Sequence, residues 1–157
     1  MARFRIVMVA CALVGVVACG AALTTPSEPS GLRLTGRISA AEIAPGGTAT
    51  FTFQLENLSS RPVTLTFSSG CQMMPYITAR RTGDFVYPSH GSWVCTTVIT
   101  SLDLPAFGSL TKEVQIKAAQ AADFPYVALT PGEYLAYAKL EQGAKSIQSD
   151  PVAFAVR

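Results

Sequence analysis

Apolar and polar residues alternate most cleanly between Phe51 and Gly70. Phe51, Phe53 and Leu55 alternate with Thr52, Gln54 and Glu56; Val63, Leu65 and Phe67 alternate with Thr64 and Thr66. A period of two predicts strands with one face buried and one in water. Asn57, Ser59, Ser60 and Pro62 supply the connection, and Pro62 suits the first position of a strand. The pattern leaves the pairing open: the two strands are hairpin neighbours, or they lie in opposite sheets joined by an arch. Elsewhere the same reading predicts a first strand carrying Leu32, Leu34 and Arg37-Ile38, and a turn at Ile43 to Gly47. Further strands are predicted at Tyr76 to Arg80, Phe85 to Tyr87, Trp93 to Ile99 and Leu110 to Lys117, the last with its phase imperfect at Lys112. Ala136, Ala138 and Leu140 mark the penultimate strand; Val152, Phe154 and Val156 close the chain. Turns fall at Thr82-Gly83-Asp84, Pro88 to Gly91 and Gly143, a loop at Leu102 to Gly108, and one helical turn at Ala118 to Asp123. Seven or so strands at regular spacing, with no long helical pattern, predict an all-β, immunoglobulin-like sandwich over residues 32–157.

The first 31 residues follow another pattern. Arg3 and Arg5 precede an apolar run from Ile6 to Val17, the layout of a secretory signal peptide. Val16-Val17-Ala18-Cys19 resembles a bacterial lipobox. The resemblance implies cleavage after residue 18, a lipid on the Cys19 sulfur, and anchoring to a membrane surface outside the cytoplasm. The uncharged run continues to Leu23, 18 residues from Ile6, so a spanning helix is the competing reading. The lipobox is preferred because Cys19 is correctly placed and a polar tether follows. That tether, Ala21 to Gly31, carries too little apolar surface to fold, and reaches about 35 Å at roughly 3.3 Å per residue when extended.

Composition adds two exclusions. At 157 residues the chain holds one ordinary domain, and 49% hydrophobic against 14% charged residues rules out a disordered chain. The net charge of +2 comes from the leader: without Arg3 and Arg5, the 12 basic residues become 10, matching the 10 acidic ones. No basic cluster remains to bind nucleic acid. Cys71 and Cys95 are the only cysteines after Cys19, and Gly83 lies midway between them. In an exported chain that folds back near Gly83 they form a disulfide, with reduced structural cysteines as the alternative.

Candidate chemistry is sparse, and the expectation is a protein that is not an enzyme and carries no cofactor or metal. His90, the single histidine, has Ser89, Ser92 and Asp84 nearby in sequence, but no nucleophile elbow surrounds either serine. Cys71, Met73, Met74, His90 and Cys95 are soft ligands of the Cu(I) type, yet a disulfide consumes both cysteines. Arg80 and Arg81 form either a binding pair for acidic groups or a solvated hairpin tip. Trp93 is either an exposed anchor for a partner or a ring packed on the Cys71–Cys95 bridge.

Tyr134, opening the penultimate strand after Pro131-Gly132, resembles the structural tyrosine corner of immunoglobulin-like sandwiches. With Asn57, Pro62-Val63, Phe67-Ser-Ser-Gly70, Gln72, Gly83, Trp93 and Pro131-Gly-Glu-Tyr134, the chain resembles the BsuPI-type proteinase inhibitor domain over roughly residues 32–157. The resemblance implies an immunoglobulin-like sandwich and proteinase inhibition. Cys71 and the longer segment leading to Trp93 depart from its pattern. The expected function is therefore that of a lipid-anchored protein-binding module with an unidentified protein partner, contacted through Met73 to Trp93, where Arg80, Arg81, His90 and Trp93 are the candidate binding residues. A proteinase as that partner is the first alternative, and an envelope structural or chaperone-like role is the second.

Overall fold

The computed structural model describes residues 31–121, 125–143 and 145–157. The signal segment, Cys19 and nearly all of the tether lie outside the described residues. Twelve strands run through the described part: β1 (Leu32–Ile38), β2 (Glu42–Ile43), β3 (Thr48–Asn57), β4 (Val63–Phe67), β5 (Met73–Ala79), β6 (Phe85–Tyr87), β7 (Thr100–Leu104), β8 (Ser109–Ala118), β9 (Tyr126–Leu129), β10 (Gly132–Gln142), β11 (Lys145–Gln148) and β12 (Val152–Val156). They exceed the seven or so expected because short segments add to the count. β2 has two residues and β6 three, and β11 and β12 pair successive halves of the long β10.

One sheet has the order β1-β3-β8-β9, a second β2-β12-β10-β5-β6 with β11 also on β10, and β4-β7 form a separate ribbon. The pairings are antiparallel except β2 with β12 and β8 with β9. β3 and β4 are thus not a hairpin. β3 pairs β1 and β8, whereas β4 pairs β7 with Leu65 opposite Leu102. The alternation predicted for these two strands holds: Phe51, Phe53, Leu55, Leu65 and Phe67 are all buried. They share one core with Ala136, Ala138 and Leu140 of β10 and with Ile43, Ile116, Phe154 and Val156. Small side chains on β10 leave room for the β3 rings, the large-against-small matching that fills a sandwich. Packing is close enough that a Cβ on Gly36 of β1 would lie 2.9 Å from the Phe51 ring.

The two most deeply buried polar side chains among the described residues, Asn57 and Ser149, are both bonded, Ser149 Oγ accepting from the Ala138 amide at 3.0 Å. Asn57, 1% exposed, donates through Nδ2 to the carbonyls of Arg61 (2.7 Å) and Pro105 (2.8 Å). Its Oδ1 accepts from the Ser59 amide (3.0 Å) and hydroxyl (2.7 Å). This one side chain ties the arch after β3 to the turn after β7. The Tyr134 hydroxyl donates to the Thr130 carbonyl at 2.7 Å, the geometry of a tyrosine corner, and its ring stacks on Phe154. On β8, Leu110, Lys112, Val114 and Ile116 form one unbroken inward row. Lys112 takes an inward position half-buried, and its Nζ donates to the Met73 carbonyl at 3.5 Å.

Three predicted segments differ. Ala118, expected to open a helical turn to Asp123, closes β8 because its amide and carbonyl pair with Gly47 and Gly46, and residues 119–121 bend, with 122–124 outside the described residues. Trp93 to Ile99 forms no strand, because its backbone and Cys95 are engaged by the chain at Ser69 to Cys71. Within Leu102 to Gly108, residues 102–104 belong to β7 and only the remainder turns. Leu102 and Leu104 point inward there, and Asp103 accepts a hydrogen bond from Thr64 at 2.6 Å.

Candidate functional site

The site begins with strand register. β5 and β10 pair so that Tyr76 faces Tyr137 and Met74 faces Lys139. Their neighbours Met73, Ile77, Ala136 and Ala138 point into the core, so Tyr76, Tyr137 and Lys139 emerge on the outer face of the sheet. Tyr76 and Tyr137 stack with centroids 5.4 Å apart and planes within 10°. Burial is the main cause that raises the pKa of both hydroxyls, and of Tyr87, above the ordinary 10.0. Lys139 pairs with Glu141 at 2.7 Å, and that hydrogen bond raises its pKa.

Behind β5 the chain reverses at residues 80–83, where the Gly83 amide bonds the Ala79 carbonyl. β6 then lies on β5, followed by a 3-10 turn, Ser89–Gly91. Gly91 has φ +70°, and a Cβ there would sit 2.6 Å from Phe85, so its backbone rests on that ring. Phe85 meets Tyr76 edge-on at 6.0 Å. The indole of Trp93 stands perpendicular to Tyr76 (6.4 Å, 83°) and Tyr87 (4.9 Å, 89°). Edge-to-face contacts of this kind suit the ring quadrupoles.

The Cys71–Cys95 disulfide closes the region, joining Cα atoms 5.4 Å apart across a sequence separation of 24. Beyond it, Gly70 N–H bonds the Thr96 carbonyl at 3.0 Å and the Thr100 hydroxyl bonds the Ser69 carbonyl at 2.7 Å. Residues 92–99 therefore run outside every sheet, yet are fixed at Cys95 and Thr96 and, just past their end, at Thr100. Their apolar side chains face water: Val94 is fully exposed, Ile99 75% and Val98 62%. Between loop and sheet lies a cavity of about 300 Å³, lined by the Tyr76, Tyr137, Phe85 and Trp93 rings, the disulfide and the Lys139–Glu141 pair. Trp93 Nε1 is buried and has no hydrogen-bond partner among the described residues.

Trp93 joins this cavity together with Cys71 and Cys95. Arg80, Arg81 and His90 do not line it. Arg80 lies at the β5–β6 reversal, 3.9 Å from Glu133, and Arg81 is exposed beside it. His90 is exposed in the 3-10 turn with φ +64°. Among the described residues, no three His, Cys, Asp or Glu side chains gather as a metal site. Sequence reasoning missed Tyr137, Lys139 and Glu141. Their signal was the complement of the inward row Ala136, Ala138, Leu140, because an aromatic on the wet phase of a strand is out of place.

Fold and site together define an all-β sandwich with a pinned, exposed apolar loop. The chain belongs to the BsuPI family, described as intracellular proteinase inhibitor, whose model matches residues 37–145. Comparison with curated proteins gives no match. Among solved structures, the chain is similar to a β-glucosidase from Erythrobacter marinus (10% identity, TM-score 0.47, 80% of this chain and 15% of that one). It is also similar to a β-glucosidase from Listeria innocua in complex with gluconolactone (10%, TM-score 0.43, 80% and 16%). A third is the Pseudomonas fluorescens alkylpurine DNA glycosylase AlkC bound to DNA containing an abasic site analog (13%, TM-score 0.44, 81% and 30%). The chain spans less than a third of each.

Proposed function

We propose that this protein is an exported, lipid-anchored proteinase inhibitor that acts by binding and not by catalysis, with residues 92–99 as its contact segment. The observation that supports this most is the pinned loop. Val94, Val98 and Ile99 stand in water on backbone held by the disulfide and two hydrogen bonds. A segment ordered before encounter loses little entropy on binding. Membership in an inhibitor family supports a proteinase as the partner class. Residues 1–18 serve as the signal peptide, Cys19 carries the lipid, and the tether to residue 31 sets the domain off the membrane.

The test is titration of the full chain in detergent against serine, cysteine and metalloproteinases. Dose-dependent inhibition of at least one is expected, weakened at least tenfold by Val94→Asp, equivalent to about 1.4 kcal/mol. If no proteinase responds, or if Val94→Asp inhibits as well as the parent, this reading fails.

A further inference from the structure

The pole of the sandwich at which the domain begins is stitched together from three segments. The Leu58 amide bonds the Gly31 carbonyl at 2.7 Å, the Phe107 amide the Ser59 carbonyl at 3.1 Å, and the Asn57 amide the Gly108 carbonyl at 2.9 Å. Gly31, the arch at residues 58–62 and the turn at residues 105–108 therefore form one fixed surface. Its tips are apolar. Phe107 is 72% exposed and Leu58 49%, and Pro62, Pro105 and Ala106 are exposed in the same two loops. Neither the core nor the turn accounts for Phe107. Its ring stands in water, and its backbone has φ +56° in a turn closed by the Gly108 amide on the Pro105 carbonyl at 3.0 Å. A left-handed turn position ordinarily takes glycine or asparagine, because a larger side chain is strained there.

Charge and chain path say what such a surface meets. Arg61 is exposed and is the only charged residue of the two loops. The acids flanking them are engaged: Glu56 pairs with Arg33 at 2.8 Å, and Asp103 accepts from Thr64 at 2.6 Å. Apolar tips beside a cation suit a bilayer with anionic headgroups, where the apolar groups sink toward the acyl chains and the guanidinium stays with phosphate. From Cys19 to Gly31 even an extended backbone covers only about 40 Å at roughly 3.3 Å per residue. Entry at this pole makes it the part of the domain closest to the anchor. Thr48, at the other end of β3, lies about 30 Å from Asn57 at strand rise. A short tether holds the surface at an effective concentration of about millimolar, so weak insertion is enough.

We propose that Leu58, Arg61 and Phe107 form a membrane-facing pole that seats on an anionic lipid surface and orients the tethered domain. This rests on the N-terminal anchor proposed above and not on proteinase inhibition. Trp93 is the only tryptophan in the chain, so Trp93→Phe clears the background for a probe. The chain is purified from its native membrane with Phe107→Trp and Trp93→Phe, or with Thr48→Trp and Trp93→Phe. Each is reconstituted into vesicles of phosphatidylcholine with one-third phosphatidylglycerol, with and without acyl-brominated lipid. Co-flotation reads the anchor, and quenching reads the pole. Brominated lipid is expected to at least halve the emission at position 107 and to leave that at position 48 unchanged. Adding the exposed substitutions Leu58→Asp and Arg61→Glu to the first chain is expected to at least halve the quenching while co-flotation persists. A chain that floats unquenched at position 107 overturns the proposal and leaves the anchor standing. Quenching that is the same after the two charge substitutions overturns it as well, since the tether alone then brings the pole to lipid. A chain that does not float overturns anchor and pole together. Emission at position 107 that responds to protein concentration and not to brominated lipid assigns the pole to a second copy of the chain, and the membrane assignment is wrong.

Discussion

Asn57 shows how one side chain can hold an arch. A β3–β4 connection that crosses between sheets has no hairpin ladder to satisfy its backbone, so the carbonyls of Arg61 and Pro105 take their hydrogen bonds from the Asn57 amide. Asn57→Ala strands those acceptors in a buried place. The expected loss is about 1–3 kcal/mol, read as a lower denaturant midpoint with unchanged slope. An unchanged midpoint would show that water replaces the amide at no cost. Asn57 was visible in the sequence only as a turn residue and a point of family resemblance. Its partners could not be seen, because Pro105 lies 48 residues away. Tyr134 was more legible, since its acceptor Thr130 is four residues back and the motif is local.

The elements between Gly70 and Thr100 depend on the disulfide more than on a ladder. β6 has three residues, and the chain from Ser92 to Ile99 has no strand partner. Closing this loop stabilises the fold by about 3 kcal/mol in the chain-entropy model. The double substitution Cys71→Ser and Cys95→Ser is therefore expected to lower stability by about that amount. It is also expected to raise hydrogen exchange at the Gly70 amide and throughout residues 92–99. If exchange there stays as slow as in the parent, the hydrogen bonds at Thr96 and Thr100 hold the loop without the bridge. The sequence announced the reversal near Gly83 and the pairing of the two cysteines. It misread Trp93 to Ile99 as a strand because Val94, Val98 and Ile99 look like core residues, and nothing in the local pattern says that a bridge keeps them in water.

For the whole molecule, alkaline pH separates the buried rings from the rest. In the folded chain Tyr76, Tyr87 and Tyr137 keep their protons past 10.0, chiefly through burial. The unfolded chain releases them at about 10. Above that pH the unfolded state binds fewer protons, so stability falls as pH rises through the folded values. Lys112 works in the opposite direction. Burial lowers its pKa from 10.5, so between its folded and unfolded values the folded chain holds fewer protons and stability rises with pH. A tyrosinate absorbance titration is expected to show a late component that shrinks in the Tyr76→Phe, Tyr137→Phe double variant. One transition at the free-tyrosine value would contradict the burial of these rings. At the other end of the chain, the proposed anchor predicts an intact mass of residues 19–157 plus lipid for protein taken from its native membrane. A full-length mass would favour the spanning-helix reading of Ile6 to Leu23.

Much of this protein is written in short-range pattern. A strand turns its side chains over every two residues, so Phe51 to Leu55 and Val63 to Phe67 declare their buried faces without reference to the rest of the chain. A tyrosine corner and a turn glycine are equally local. Pairing is not. Whether β3 and β4 are neighbours depends on which strands bury their faces best across the core, and β8 and β7 won those places. The inward position of Lys112 follows from the same unbroken alternation, but its tolerance there follows from a carbonyl 39 residues away. The aromatic cavity is the furthest from the sequence: Tyr76 meets Tyr137 only through the register of β5 on β10, and Trp93 reaches them only after the bridge and the turn at Gly91 fold its segment back. Contacts of that range are set by the closing of the whole core, and only the folded chain displays them.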